Sequence, residues 1–322
     1  MDSEHDKNPL AGAPLNPDQL TDPFEAFRLP DVFFDRQAAL RCVQRLARLP
    51  QLSPFLAHFL PSLLARLATN ADPDRALVNF ERFVESSAKA PEMNKILAEN
   101  PRAIEILGTL FAGSQFLTEI LLRNPQQLEI MIDPKRLSRV KDVETIRREA
   151  EGASGHFSSV DERLDALRIY QRQELLRIGT CDLLGLFDLS TVTRQLSNLA
   201  DALIQVCLAN AAGATGQPVD HFAVIALGKL GGQELNYSSD IDLMFLARAN
   251  VRDHLKLGER LIETLARMTS EGFLYRVDMR LRPWGKDGSL VSSLEGYAAY
   301  LARHARLWEK QALLKARVSG KQ

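Results

Sequence analysis

The chain has 322 residues, of which 45% are hydrophobic and 25% are charged, a balance typical of a soluble globular protein of about two domains. Its formal net charge of -1 argues against a general nucleic-acid binder, which needs a strong positive excess to neutralise phosphates. No apolar stretch approaches the roughly 18 residues that cross a bilayer, so no membrane partner is expected. The three widely spaced cysteines are predicted to be reduced, packed thiols in a cytoplasmic protein.

The first two predicted segments differ sharply in pattern. Residues 1–30 hold repeated proline steps and few periodic apolar positions, which predicts a disordered or loosely docked arm. Residues 31–211 carry apolar residues at helical spacing, as at Leu40, Val43 and Leu46. Asparagine–proline and aspartate–proline steps interrupt that pattern, and proline is tolerated in the first turn of a helix but not inside one. We therefore predict an all-α bundle whose helices restart at prolines.

The segment from residue 164 to residue 208 has the strongest helical pattern in the chain. It predicts one long helix, or two helices that meet near Gly179–Asp188. Arg168, Arg172 and Arg177 fall beside its apolar face. They are interpreted as a solvated, salt-bridged face, with contact to a bound nucleotide as the alternative.

A composition shift at residue 212 begins a predicted α/β unit over residues 212–322. Its predicted elements are strand 222–227, glycine turn 228–232, strand 241–246, helix 255–269, strand 274–281, glycine loop 283–289 and helix 294–316. Three histidines of this unit, His221, His254 and His304, lack metal-like spacing and are expected at the surface.

Asp240 and Asp242 flank one isoleucine at the start of the second predicted strand. Alternate side chains of a strand share a face, so the two carboxylates are expected side by side. Such a pair repels itself unless a cation lies beside it, and hard divalent cations take oxygen ligands. The pattern favours a Mg²⁺ site, expected to hold two ions, of the kind used in nucleotidyl transfer. Two aspartates that merely cap a surface strand are the alternative.

The third predicted strand carries another carboxylate. Alternation would place Arg276, Asp278, Arg280 and Arg282 on one strand face. An aspartate between arginines suits a third metal ligand beside a phosphate clamp, because guanidinium groups bind phosphate in bidentate fashion. A salt-bridged, solvated outer face is the alternative.

The glycine turn, with Gly228, Gly231 and Gly232, lacks both the P-loop pattern and the dinucleotide fingerprint. Backbone amides in such a turn can bind phosphate, with Ser238 and Ser239 as further donors. From residue 256 onward the chain has 13 Lys and Arg against 7 Asp and Glu. This local excess favours an anionic ligand in the C-terminal part.

Four ordered motifs carry a family resemblance. They are Gly-Lys-Leu-Gly-Gly-Gln-Glu-Leu-Asn-Tyr-Ser-Ser-Asp-Ile-Asp-Leu at 228–243, Arg-Val-Asp-Met-Arg-Leu-Arg-Pro at 276–283, Gly-Ser-Leu-Val-Ser-Ser at 288–293 and Trp-Glu-Lys-Gln-Ala-Leu-Leu-Lys-Ala-Arg at 308–317. Together the motifs resemble the bifunctional glutamine synthetase adenylyltransferase/adenylyl-removing enzymes. The resemblance implies an α + α/β fold, in which a helical bundle precedes a polymerase-β-like nucleotidyltransferase domain with a small mixed sheet.

The resemblance also implies a function. Such enzymes carry two nucleotidyltransferase domains, of which the N-terminal one removes AMP from a tyrosine of glutamine synthetase by phosphorolysis and the C-terminal one attaches it. The sequence of residues 236–242 is similar to that of the removing half. It implies Asp240, Asp242 and Asp278 as metal ligands, ATP or ADP and phosphate as ligands, and glutamine synthetase as partner, with a PII-type signal protein as a possible regulator.

Three other functions stay open at this point, of which one is adenylyl transfer to a small molecule at the same metal site. The same site could transfer AMP from ATP to the same tyrosine, or the chain could be a non-catalytic module that docks on glutamine synthetase. The chain is much shorter than these enzymes, so we expect a truncated form in which the second catalytic half and the closing helices of the first domain are missing.

Overall fold

A computed structural model describes residues 32–50, 52–87, 91–249 and 251–320. The predicted arm at residues 1–30 lies outside the described residues. The chain divides into two compact units, one of Met1–Arg139 with Gly179–Leu186 and one of Val140–Ile178 with Phe187–Gln322. The predicted domain boundary at residue 212 falls within the second unit.

The first unit is helical, as predicted. Its helices are α1 (Arg36–Arg48), α2 (Ser53–Ala68), α3 (Pro73–Ser86), α4 (Pro91–Glu99), α5 (Pro101–Gly113), α6 (Gln115–Arg123), α7 (Gln127–Met131) and α8 (Pro134–Leu137). The prediction of helices that restart at prolines is confirmed at Pro91, Pro101 and Pro134, but the break expected at Pro61 is wrong, because Pro61 lies inside α2. The side chains of Asn100 and Asp133 accept hydrogen bonds from backbone N–H groups in the first turn of the next helix. Those N–H groups have no acceptor within the helix itself.

Aromatic packing joins the central helices of this unit. The ring centroids of Phe59 and Phe80 lie 5.8 Å apart, and those of Phe83 and Phe111 lie 5.9 Å apart. All four side chains are buried, so α2, α3 and α5 share one apolar core.

Three further helices follow, namely α9 (Val143–Ser154), α10 (Val160–Leu183) and α11 (Leu189–Thr215). The prediction of two helices that meet between residues 179 and 188 is confirmed. Gly185 has a positive φ of 66°, which favours glycine. The Asp188 side chain then accepts a hydrogen bond from the backbone N–H of Thr191 and caps α11.

The solvated arginine face predicted on α10 is wrong. Arg168 is 0% exposed and Arg177 is 5% exposed. Arg168 donates to the carbonyl oxygen of Arg267 over 2.9 Å, and Arg177 forms an ion pair with Glu174 over 2.9 Å. Buried guanidinium groups need such partners. The contacts with protein groups account for the burial of Arg168 and Arg177.

The second unit contains a five-stranded sheet. Its strands are β1 (Phe222–Ala226), β2 (Ile241–Ala247), β3 (Val277–Asp278), β4 (Val291–Ser293) and β5 (Arg317–Gly320), and its helices are α12 (Gly228–Gly231), α13 (Val251–Ala266), α14 (Leu294–Arg303) and α15 (Leu307–Ala312). The order is β3-β2-β1-β5, and β4 also pairs with β2. Strand β1 is antiparallel to β2 and β5, whereas β3 and β4 are parallel to β2. The predicted small mixed sheet after a helical region is confirmed.

Several predicted elements are shorter than expected. The strand predicted over residues 274–281 has only Val277–Asp278 paired. The helix predicted over residues 294–316 is interrupted after Arg303, and a 3₁₀ turn, Leu313–Lys315, precedes β5. The glycine turn at residues 228–232 is the short helix α12. Within the part of the chain that the structure describes, no helix has the length and apolarity that a membrane span needs.

The surface position expected for His254 is also wrong. The side chain is 3% exposed, and its ring stacks on Phe222 of β1 with centroids 5.4 Å apart. Its Nε2 lies 3.2 Å from the Asp220 carbonyl oxygen. His254 therefore packs α13 against the sheet.

Two helical glycines offer a matched test of packing. A Cβ at Gly179 would overlap the buried side chain of Leu117, whereas a Cβ at Gly152 would meet no atom within 4 Å. We expect Gly179→Ala to destabilise the fold by about 1–3 kcal/mol because Leu117 must repack. Gly152→Ala should stabilise it by about 0.5–1 kcal/mol through helix propensity. Denaturant titration of both variants measures these changes, and equal effects would contradict the packing.

Candidate active site

Adjacent parallel strands bring two of the predicted carboxylates together. In the β2–β3 ladder, Ile241 pairs with Val277 and Asp242 pairs with Asp278. Residues paired in a ladder point to the same face of a sheet, so the two aspartates are neighbours across the strands. Asp240 directly precedes β2, two residues before Asp242. The structure therefore clusters the three aspartates that the sequence singled out.

The two paired aspartates have opposite electrostatic environments. The pKa of Asp242 is raised, first by burial and then by the negative charges of Asp278 and Asp240. The pKa of Asp278 is lowered, chiefly because Arg280 donates hydrogen bonds to its carboxylate. A negative charge is therefore costly at Asp242 and stabilised at Asp278.

Two of the predicted arginines form ion pairs with Asp240 and Asp278. Arg276 Nε lies 2.5 Å from Asp240 Oδ1, and Arg280 Nη2 lies 2.5 Å from Asp278 Oδ2. The arginine side chains are 63% and 70% exposed, respectively. Because exposed ion pairs contribute little net stability, both guanidinium groups can exchange these carboxylates for another anion.

Arg282 has a different environment from the other two arginines. Its guanidinium group donates to the carbonyl oxygens of Met279 (3.0 Å), Lys286 (3.0 Å) and Gly288 (3.2 Å). The short length of β3 explains the difference, since the chain turns after Asp278 and strand alternation no longer applies. Arg282 thus holds its own loop, and its phosphate contact remains a prediction.

The donor set of the aspartate cluster suits a divalent cation. Carboxylate oxygens are preferred ligands of Mg²⁺, and burial together with the charges of Asp278 and Asp240 raises the pKa of Asp242. Among the described residues, however, no three acidic, histidine or cysteine side chains already stand in metal-binding positions. Asp240, Asp242 and Asp278 fit the ion by the chemistry of their oxygen atoms, and the side chains of Asp240 and Asp278 would have to turn from Arg276 and Arg280 to hold it.

The glycines allow close approach of backbone to the aspartates. Gly228 has a φ of 53°, and a Cβ there would overlap Asp242 Oδ2. A Cβ at Gly231 would overlap the Lys315 carbonyl oxygen, and one at Gly232 would lie 2.9 Å from the Lys315 side chain. Side chains at these positions would separate α12 from Asp242 and from the segment that enters β5.

The two predicted serines take different partners. Ser239 donates to Asn236 Oδ1 over 2.5 Å, and its hydroxyl lies 3.5 Å from Lys229 Nζ. The Ser238 carbonyl oxygen accepts a hydrogen bond of 3.0 Å from Arg276. Both serines therefore lie beside the cluster, and phosphate binding by them stays a prediction.

A buried ion pair beneath this site was not predicted from the sequence. Arg317 Nη1 of β5 lies 2.7 Å from Asp201 Oδ2 of α11, whose side chain is 2% exposed. Ser319 donates to the same carboxylate over 2.5 Å, and Arg317 donates to the Leu230 carbonyl oxygen of α12 over 2.9 Å. Asp201 gave one available signal, because it interrupts an otherwise apolar helical run.

A small mixed sheet with aspartates on adjacent strands, placed after a helical region, defines the class: a nucleotidyltransferase-like α/β domain. Comparison with known proteins identifies the family within this class. The sequence profile of glutamate-ammonia ligase adenylyltransferase matches residues 104–322. The match covers more than half of the chain, and the chain belongs to this family.

Individual relatives agree with the family match. The chain is 32% identical over 291 residues to a bifunctional glutamine synthetase adenylyltransferase/adenylyl-removing enzyme of Thioalkalivibrio sulfidiphilus. It is 33% identical over 288 residues to the enzyme of the same description from Idiomarina loihiensis. Each match covers 81% of this chain and 30% of the relative, so the chain spans about a third of the length of these relatives.

The ion pair between Arg317 and Asp201 yields a stability prediction. We expect Arg317→Gln to lower the free energy of unfolding by about 3–5 kcal/mol, since it leaves a buried carboxylate unpaired. Lys315→Gln is the matched control, because Lys315 pairs over 2.6 Å with Glu234 while both side chains are more than half exposed. Lys315→Gln should lower the free energy of unfolding by less than about 1 kcal/mol. Chemical denaturation followed by circular dichroism compares them, and similar losses would refute the assignment.

Asp242 yields a pH prediction. Because its folded-state pKa is raised, ionisation of Asp242 opposes folding, and this penalty exists above the raised pKa and disappears as the pH falls below the unfolded value. Asp242→Asn should therefore raise the melting temperature of the metal-free protein at neutral pH. The difference should vanish in acid, and a variant less stable than the parent at neutral pH would contradict the electrostatics.

Proposed function

We propose that this chain is a nucleotidyltransferase acting on glutamine synthetase, and that its reaction is phosphorolytic removal of AMP from the adenylylated tyrosine. The in-register pair of Asp242 and Asp278 carries the proposal, because neighbouring carboxylates on adjacent strands are the donor arrangement that phosphoryl-transfer sites need. The relatives are named for adenylyl transfer and adenylyl removal. The likeness of residues 236–242 to the removing half favours that direction.

In the proposed reaction, an oxygen of inorganic phosphate attacks the adenylyl phosphorus. A new P–O bond forms, the bond to the tyrosine oxygen breaks, and the products are ADP and the free tyrosine. Asp240, Asp242 and Asp278 would hold Mg²⁺, which supplies positive charge to the attacking and leaving oxygens.

Arg276 and Arg280 have a proposed role in binding the anionic substrates. Their exposed guanidinium groups lie within the cluster and already pair with carboxylates. As phosphate groups enter, each arginine would move from its aspartate to phosphate oxygens, which accept bidentate hydrogen bonds. The exchange would leave the carboxylates available to the cation, and the backbone of α12 would border the bound phosphates.

Adenylyl transfer from ATP to the same tyrosine is the second candidate, because the family description names that activity. The same aspartates and arginines would serve it. A cytoplasmic location, a nitrogen-regulatory role and control by a PII-type signal protein belong to the proposal as well.

The proposed reaction predicts a large loss on removal of one carboxylate. Asp242→Asn and Asp278→Asn should each lower magnesium- and phosphate-dependent release of ADP from adenylylated glutamine synthetase by about a thousandfold, since several kcal/mol of transition-state stabilisation are lost. Asp253→Asn, at an exposed position on α13, should leave the rate unchanged. Chromatographic assay of ADP measures all three.

A full-length relative serves as the positive control for that assay. If the relative releases ADP and this chain does not, calorimetry with ADP and Mg²⁺ separates the remaining possibilities. If ADP binds in a magnesium-dependent manner and Asp242→Asn abolishes the binding, the proposed nucleotide site is supported. Absence of binding would overturn the enzymatic proposal in favour of a docking module.

A further inference from the structure

A cavity of about 450 Å³ lies in the second unit, among α10, α11 and α13. Its volume is in the range of small-molecule sites, roughly 300–1,000 Å³. Asp240, Asp242, Asp278 and the glycines of α12 do not line it. The lining of the cavity is therefore distinct from the aspartate cluster.

Small and apolar side chains form much of the lining. Ala209, Gly213 and Ala214 come from the end of α11, and Val160 and Leu164 come from the first turns of α10. A Cβ placed on Gly213 would meet no atom within 4 Å. The wall provided by α11 thus leaves open space that a short apolar group can occupy.

Two arginines give the cavity a positive wall. Arg163 and Arg260 both line the cavity, and the Arg163 residue is partly exposed. Arg260 pairs with Glu263 over 2.7 Å, and the Glu263 side chain is 50% exposed, so this guanidinium group can still accept a second anion.

The carboxylates near the cavity do not neutralise Arg163. Among the residues that the structure describes, no acidic side chain lines it. On α10, Asp161 pairs with Arg267 over 3.0 Å and Asp165 pairs with Arg168 over 3.2 Å. Glu162 is exposed to solvent. The potential in the cavity therefore favours an anion.

We propose that this cavity binds a small oxyanion that carries a short apolar group, with Arg163 as its principal ligand. The guanidinium fork matches a carboxylate or a phosphate in bidentate geometry, while the apolar group rests on Leu164 and Ala209. The apolar lining favours a carboxylate, and Thr264 and Asn210 supply further polar groups at the wall.

Calorimetric titration of the whole chain tests the site with three probes: butyrate, inorganic phosphate and uncharged butanol. We expect butyrate to bind, and Arg163→Gln to weaken its affinity about tenfold, the loss of one charge-assisted hydrogen bond. Gly213→Leu should weaken it similarly by filling the cavity. Phosphate binding with the same dependence on Arg163 would support the site and identify the oxyanion as a phosphate.

Matched variants control for charge and for helix composition. Arg148→Gln removes a mostly exposed arginine on α9, and Gly152→Leu alters a helical glycine with equally open surroundings. Both should bind butyrate as the parent does. The proposal is overturned if neither anion binds, if Arg163→Gln binds as tightly as the parent, or if butanol binds as tightly as butyrate. Circular dichroism confirms folding, and Arg163→Gln decides the question if Gly213→Leu does not fold.

Discussion

The repulsion between carboxylates that the β2–β3 register forces together is the constraint on which the rest of the site depends. Asp242 and Asp278 share a ladder position, and Asp240 stands two residues from Asp242. Burial and its two acidic neighbours raise the pKa of Asp242. A fold that keeps these groups adjacent must compensate elsewhere in stability, and such compensation is typical of functional sites.

Contacts around α12 hold the end of β2 that carries Asp242. Gly228 lets α12 approach Asp242, and the Leu227 N–H donates to the Asp242 carbonyl oxygen over 2.9 Å. Arg317 then fixes α12 through the Leu230 carbonyl oxygen and joins β5 to Asp201 of α11. Arg317 therefore links β5 to α11 and to α12, and α12 begins at the glycine that packs against Asp242.

The features that could be predicted from the sequence are those set by residues close together in the chain. Two aspartates around Ile241, followed by an apolar run, indicated a strand with a paired carboxylate, and the ladder confirms that Asp278 joins them. Long-range pairing was beyond such patterns. The burial of Arg168 depends on the carbonyl oxygen of Arg267, 99 positions away, and the turn after Asp278 ends the alternation that had grouped Arg282 with Arg276. Spacing identifies the faces of an element but not the distant partner that covers one of them.

The three carboxylates differ in how much they would gain from a cation. Asp240 and Asp278 are each paired with an exposed arginine, whereas burial and the charges of Asp278 and Asp240 raise the pKa of Asp242. Coulomb interactions strengthen where water is excluded, so a divalent ion would gain most at Asp242. The arginines would then lose part of their attraction to the aspartates, because the ion neutralises the same carboxylates. Entry of a cation and release of Arg276 and Arg280 toward incoming phosphate would therefore favour each other, which is the electrostatic order that a site for two anionic reactants requires.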